Sequence, residues 1–152
     1  MHIVTLNTGS GYCTLHYVKI SHMQLTINYW AVIGAAVANV AVGALWYGPV
    51  FGKQWRKMMK FTEADMKNMP LTAGQAIAGG VITALIMAFV LSQIAPQGIS
   101  ALTLAFWPWI GFVAPIQAGS WLWEGKSFKL FAFNAAVSFV SLCVMASILT
   151  LG

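Results

Sequence analysis

Polar and apolar positions along the chain fall into long blocks rather than short periods. Blocks at 28–50, 73–94, 99–118 and 130–151 contain no Asp, Glu, Lys, Arg or His. Each is close to the ~20 residues that a helix needs to cross the hydrocarbon of a bilayer. Backbone amides there find no water, so the blocks are expected to be helices, which satisfy their hydrogen bonds internally. The joint at Pro96-Gln97-Gly98 is tight and uncharged, and that at 119–129 is short; only 51–72 has room for structure of its own. Short joints make consecutive helices antiparallel neighbours. The pattern predicts an all-α integral membrane protein, its four transmembrane helices packed as a compact antiparallel bundle in one domain over 23–152.

The first block ends abruptly. Trp46 and Tyr47 have apolar bodies and polar tips suited to the headgroup boundary, and Gly48-Pro49 then interrupts the helix. Beyond it, Phe51, Trp55, Met58 and Met59 share one helical face, while Lys53, Arg56, Lys57 and Lys60 share another. This spacing predicts a short amphipathic helix lying in the membrane surface. Thr62 to Asp65 carries the signal of a helix N-cap, with Pro70 as its expected end. Thr72 and Gln75 then have the spacing of a capping box opening the second block.

Composition agrees with the block pattern. The chain is 7% charged and 59% hydrophobic over 152 residues, with a mean hydropathy of +0.76, against about 25% charged residues in soluble domains. The net charge of +5 does not point to nucleic acid, because the cations lie between apolar blocks instead of on one solvated face. Lys53, Arg56, Lys57, Lys60 and Lys67 occupy one joint and Lys126 and Lys129 another; Lys19 alone lies on the opposite side. Cations favour the cytoplasmic side. Loops 51–72 and 119–129 are therefore expected in the cytoplasm, with both termini outside the cell membrane. The expected partner is the lipid bilayer through its anionic headgroups, and association with further copies of the chain stays open.

Residues 1–22 have neither the apolar stretch nor the cleavage site of a signal peptide. They are read as a flexible N-terminal segment, with Met23 as an alternative start. His2, His16, His22 and Cys13 match no zinc spacing, Cys143 lies far away in the last block, and no cofactor or metal motif is present.

INYWAV at 27–32, GALWYGPVFGKQW at 43–55 and TEADM at 62–66 resemble the small four-span membrane family catalogued as domain of unknown function 1761. Its members look like four-span proteins with an Asn near the start of span one. That span closes in a Trp-Tyr-x-Pro-x-Phe-Gly-Lys-x-Trp stretch. The resemblance runs from about Ile27 to the C-terminus, with the aromatic end of span three and Asn134 as weaker matches. It implies location and architecture and carries over no activity.

Within the blocks the chemistry is sparse. The lack of ionisable groups at depth argues against proton relays, ion coupling and acid–base catalysis, so no enzymatic activity is expected. Glu124 is expected to pair with Lys126. Small residues at helical spacing, such as Ala35, Asn39 and Gly43 or Ala76, Gly80 and Ala84, suit close helix approach. Asn39, Asn134, Ser138 and Ser141 are candidate interhelical polar contacts. Trp46, Tyr47, Lys53, Trp55, Arg56, Lys57 and Lys60 are candidates for headgroup contact. The third block carries Pro108 and Pro115, and the kinks they predict open a candidate pocket at Trp107, Trp109, Phe112 and Gln117. The leading expectation is a structural or lipid-interacting accessory protein. The alternative is a small uncoupled transporter or amphiphile-binding protein using the third block, and a polar-lined cavity between helices would favour it.

Overall fold

The computed structural model describes residues 27–95 and 98–151, so the N-terminal segment, Cys13, the histidines, Met23 and the Pro96-Gln97 turn lie outside the described residues. Every regular element among the described residues is helical: α1 Tyr29–Leu45, α2 Gly52–Met59, α3 Glu63–Ile94, α4 Ala101–Pro108, α5 Ala114–Leu122 and α6 Phe128–Leu151. Wide turns at Trp46–Val50 and Trp109–Val113 extend α1 and fuse α4 to α5. Four stretches are long and apolar enough to cross a membrane: Tyr29–Val50, Ile77–Ile94, Ala101–Leu122 and Phe128–Leu151. They are numbered below as spans one to four.

Caps explain where the helices begin. The Asn28 side chain accepts from the amides of Trp30 and Ala31 at 3.1 and 3.2 Å. Ser100 does the same for Thr103 at 3.3 Å. At α3, Thr62 and Asp65 form a reciprocal box. The Thr62 amide donates to the Asp65 carboxylate at 2.8 Å, and the Asp65 amide donates to the Thr62 hydroxyl at 3.3 Å. The expected stop at Pro70 is absent, since α3 runs without a break from Glu63 to Ile94. Proline's fixed φ is compatible with a helix, and its cost here is a missing amide and a crowded preceding turn. Thr72 and Gln75 lie inside α3 and open nothing.

The box makes the first turn of α3 pH-sensitive. The Thr62 amide, then the Thr62 hydroxyl, hold the Asp65 carboxyl below its ordinary value. The unfolded carboxyl titrates in the ordinary range, so the cap's contribution is complete above that range. It is lost as pH falls through the lower, folded value. Hydrogen exchange at the first turn of α3 is expected to lose protection on acidification in the native chain, and to lack this dependence in Asp65→Asn. Equal pH profiles for both would contradict the cap.

The best-packed region lies at one end of the spans. There the start of α1 (Val32, Ala35, Ala36) meets the end of α3 (Ala84, Ala88, Leu91), the start of α4 (Leu104, Ala105) and the end of α6 (Leu142, Met145, Ala146, Leu149). Ala35, Ala88, Ala105 and Ala146 are each 0% exposed. Side chains this small let helix backbones approach closely. Not every small residue serves this end: a Cβ on Gly43 or Gly80 would meet nothing within 4 Å. The outward faces are apolar, including Ile82, Ile86, Trp107 and Ile116, each at least 60% exposed. α1 packs on both α3 and α6, and α4 on α6, whereas spans two and three scarcely touch. Toward the charged loops the packing therefore loosens.

Candidate binding cleft between the spans

Both wide turns arise at prolines. Pro49 and Pro115 have no amide to donate to the carbonyl four residues back, and the ladder shifts to five-residue bonds beside them. The Phe51 amide reaches the Trp46 carbonyl at 3.0 Å, and the Ala114 amide reaches that of Trp109. At Gly48 the backbone leaves helical geometry altogether, at φ −95° and ψ −108°. A Cβ at Gly52 would lie 2.5 Å from the Tyr47 carbonyl oxygen, so only glycine permits α2 to start this close beneath the turn.

This turn points Trp46 and Tyr47 inward. Both rings are half-buried. Trp46 packs on Phe51 and Phe133 with centroids 4.7 and 5.7 Å apart, and Tyr47 on Trp55 at 5.4 Å. The Tyr47 hydroxyl donates to Oδ1 of Asn134 at 3.0 Å, tying span one to span four. On the far side of span four, the Trp109 indole donates to the Ala135 carbonyl at 2.9 Å and packs on Phe139 at 5.0 Å.

A cavity of about 320 Å³ remains between the helices, where spans two and three diverge. Its walls include Asn39 and Gly43 from span one, Thr83 and Met87 from span two, Gln117 from span three, and Ser138 and Ser141 from span four. Hydrogen bonding fixes how the Gln117 amide is turned. The Ser138 hydroxyl donates to the Asn134 carbonyl at 2.9 Å, so it must accept from Nε2 of Gln117, 2.6 Å away. Gln117 Oε1 is left buried without a partner. Ser141 is 7% exposed, and neither its hydroxyl nor the Asn39 amide has a partner among the described residues. Buried polar groups rarely go unsatisfied. Gln117 Oε1 is such a group and calls for a guest or water that donates to it, while the half-buried Asn39 and the buried Ser141 add polar atoms to the same walls.

The candidate pocket at span three takes a different form from the one expected. Gln117 lines the cavity, while Trp107 and Phe112 are 64% and 70% exposed on the outer surface. Trp109 braces span three against span four through its indole bond. The interhelical candidates do converge, since Asn39, Ser138 and Ser141 share the cavity and Asn134 bonds to Tyr47. Contributions from Thr83, Met87 and Tyr47 were not anticipated from sequence. Gln117, Ser138 and Ser141, polar residues inside apolar blocks, were the available signal.

A second cavity of about 380 Å³ lies nearer the charged loops, bordered by Gln117, Ser120, Trp123, Glu124 and Asn134. The expected ion pair forms at its rim, with Lys126 Nζ 2.7 Å from the Glu124 carboxylate. Both partners are well exposed, so its contribution to stability is small. On α2, Lys53 and Lys57 are exposed and Arg56 is half-buried, and Lys60 is exposed in the left-handed position just past the helix end. No group of three or more metal-ligating side chains occurs among the described residues.

Comparison with known families rests on nearly the whole described chain. The family model described as a protein of unknown function (DUF1761) matches residues 30–150. The chain belongs to that family. Within this DUF1761 protein the matched region takes in all the residues of both cavities. No curated protein and no solved structure matches the chain.

Proposed function

We propose that this multi-pass membrane protein holds an uncharged amphiphile in the cleft, without chemical turnover. The observation that carries this reading is the buried, unpartnered Oε1 of Gln117 on a cavity whose walls also hold Asn39, Ser138 and Ser141. Its volume, about 320 Å³, falls at the lower end of ligand pockets, ~300–1,000 Å³. That accommodates a polar headgroup better than a whole lipid. The apolar part of such a guest would leave through the gap between spans two and three into the acyl chains. No carboxylate, imidazole or amine lines the inner cavity. An ionic headgroup would be unpaired there and costly to bury.

The same reading puts the basic loops in the cytoplasm. Lys53, Arg56 and Lys57 on a surface-lying α2, with Lys60 at its end, would contact anionic headgroups, each cation contributing about 1 kcal/mol. Trp55 and the neighbouring rings would anchor that helix beside the cleft.

Purified protein in detergent provides the test, with a monoacylglycerol, an N-acylethanolamine and a fatty acid of equal chain length as probes. The two neutral amphiphiles are expected to raise the melting temperature, and the ionised fatty acid is not. Asn39→Leu and Gln117→Leu are each expected to remove the rise. Equal effects of all three probes, or full rises in both variants, would reject a polar site in the cleft.

A further inference from the structure

The two cavities meet at a single partition. Gln117 lines both; Tyr47 lines only the inner one, and Asn134 only the outer one. The Tyr47 hydroxyl and Asn134 Oδ1 are joined across that boundary at 3.0 Å. Asn134 is also the hub of the neighbouring bonds. Its carbonyl accepts from Ser138, and Ser138 accepts from Gln117. Spans one, three and four are thus linked at this level by one short chain of neutral hydrogen bonds.

The partition also stands between two breaks in helix regularity. Tyr47 is carried on the wide turn Trp46–Val50, next to the non-helical Gly48. Gln117 lies in α5, just beyond the wide turn Trp109–Val113. Wide turns of this kind recur at functional sites. By contrast, the closed end, with its alanine contacts, has no break in any span. The backbone is irregular where Tyr47 is carried and just before Gln117, whereas Asn134 stands on the unbroken α6.

We propose that the two cavities are compartments of one route and that the Tyr47–Asn134 hydrogen bond is its gate. The route leads from the end bearing Glu124 and Lys126 to Asn39 and Ser141 near mid-span. A neutral polar molecule, or the neutral headgroup of an amphiphile, enters the outer cavity first. It crosses by exchanging its own donor for the Tyr47 hydroxyl at Asn134, and the chain of bonds recloses behind it. Gln117 Oε1, exposed to neither solvent nor a partner, offers the next acceptor along the way. This adds directed access to the binding reading on which it rests: the cleft fills from the loop end and not only sideways from lipid.

Thiol labelling tests the gate without any ligand, so its failure and that of the binding reading are distinguishable. The full chain with Cys13→Ala and Cys143→Ala is reconstituted in vesicles. Ser141→Cys reports on the inner cavity and Ser120→Cys on the outer one. A small charged methanethiosulfonate reagent, applied separately to right-side-out and inside-out preparations, gives the rate at each position and identifies the side on which the loops lie. Ser120→Cys is expected to react fast from the loop side and Ser141→Cys slowly. Adding Tyr47→Phe, which keeps the ring, is expected to speed reaction at Ser141→Cys about fivefold, the effect of losing one net hydrogen bond on an open–closed equilibrium. Asn134→Ala removes the acceptor from the other wall and is expected to act in the same direction. The Ser120→Cys rate stays constant in both backgrounds. An unchanged rate at Ser141→Cys in both variants would overturn the gate. So would a parallel rise at both reporter positions, or fast reaction at Ser141→Cys with Tyr47 and Asn134 intact.

Discussion

Trp109→Ala is expected to lower the melting temperature of the detergent-solubilised protein far more than Trp107→Ala, although the two residues are separated only by Pro108. Truncating a buried aromatic residue costs about 3–5 kcal/mol in soluble cores. Trp109 is half-buried, so the lower part of that range applies. Its loss would remove the ring contact with Phe139 and the indole bond to the Ala135 carbonyl, both of which hold span three to span four. Trp107, 64% exposed, faces the surroundings, and detergent or lipid would replace much of what its ring touches. A differential scan of the two variants in the same detergent decides the matter. Comparable losses would mean that span three is rotated so that both rings pack against span four.

The second large effect is expected at the closed end. Ala146→Leu would insert three carbons where the side chain is 0% exposed and the helices from all four spans converge. Overpacking costs about 1–3 kcal/mol in well-packed cores, and here there is no slack to absorb it. Gly43→Ala is the matching control at the open end, because its Cβ would meet nothing within 4 Å. A glycine inside a helix costs roughly 0.5–1 kcal/mol relative to alanine, so this change is expected to be neutral or stabilising. The comparison is made by thermal unfolding in one detergent. If Ala146→Leu melts no lower than the native protein, the close alanine packing is wrong.

Much of the architecture was legible because lipid imposes a length on apolar helices. The four blocks, the helix break at Gly48-Pro49, the wide turn before Pro115, the Thr62 cap and the Glu124–Lys126 pair all follow from local chemistry. The inward face of each span was not legible in the same way. A helix surrounded by acyl chains can be apolar all round, so periodicity gives little indication of which stripe meets its neighbours. Trp107 and Phe112 could therefore be grouped with Gln117 by sequence proximity, though they face elsewhere. Tyr47 shows the converse. Its position at the end of an apolar block fits an interfacial ring, but the wide turn beneath it directs the hydroxyl to Asn134, 87 residues away in sequence. Pro70 was a third failure, because a local stop signal was outweighed by the helix continuing on both sides of it.

The tight alanine end has a mechanical consequence. With Ala35 as pivot, Tyr47 lies twelve residues further along the same span, a lever arm of about 18 Å at the helical rise. A tilt of about 5° around that pivot would carry the Tyr47 end sideways by roughly 1.6 Å over such an arm. That displacement is enough to part a hydrogen bond of 3.0 Å, since O–H···O bonds span only about 2.5–3.0 Å. Small rotations at the alanine contacts would be magnified at the polar crossing, so bilayer thickness or lateral pressure would reach the cleft as leverage. The rigid end would then govern access to the loose one without touching anything that passes through it.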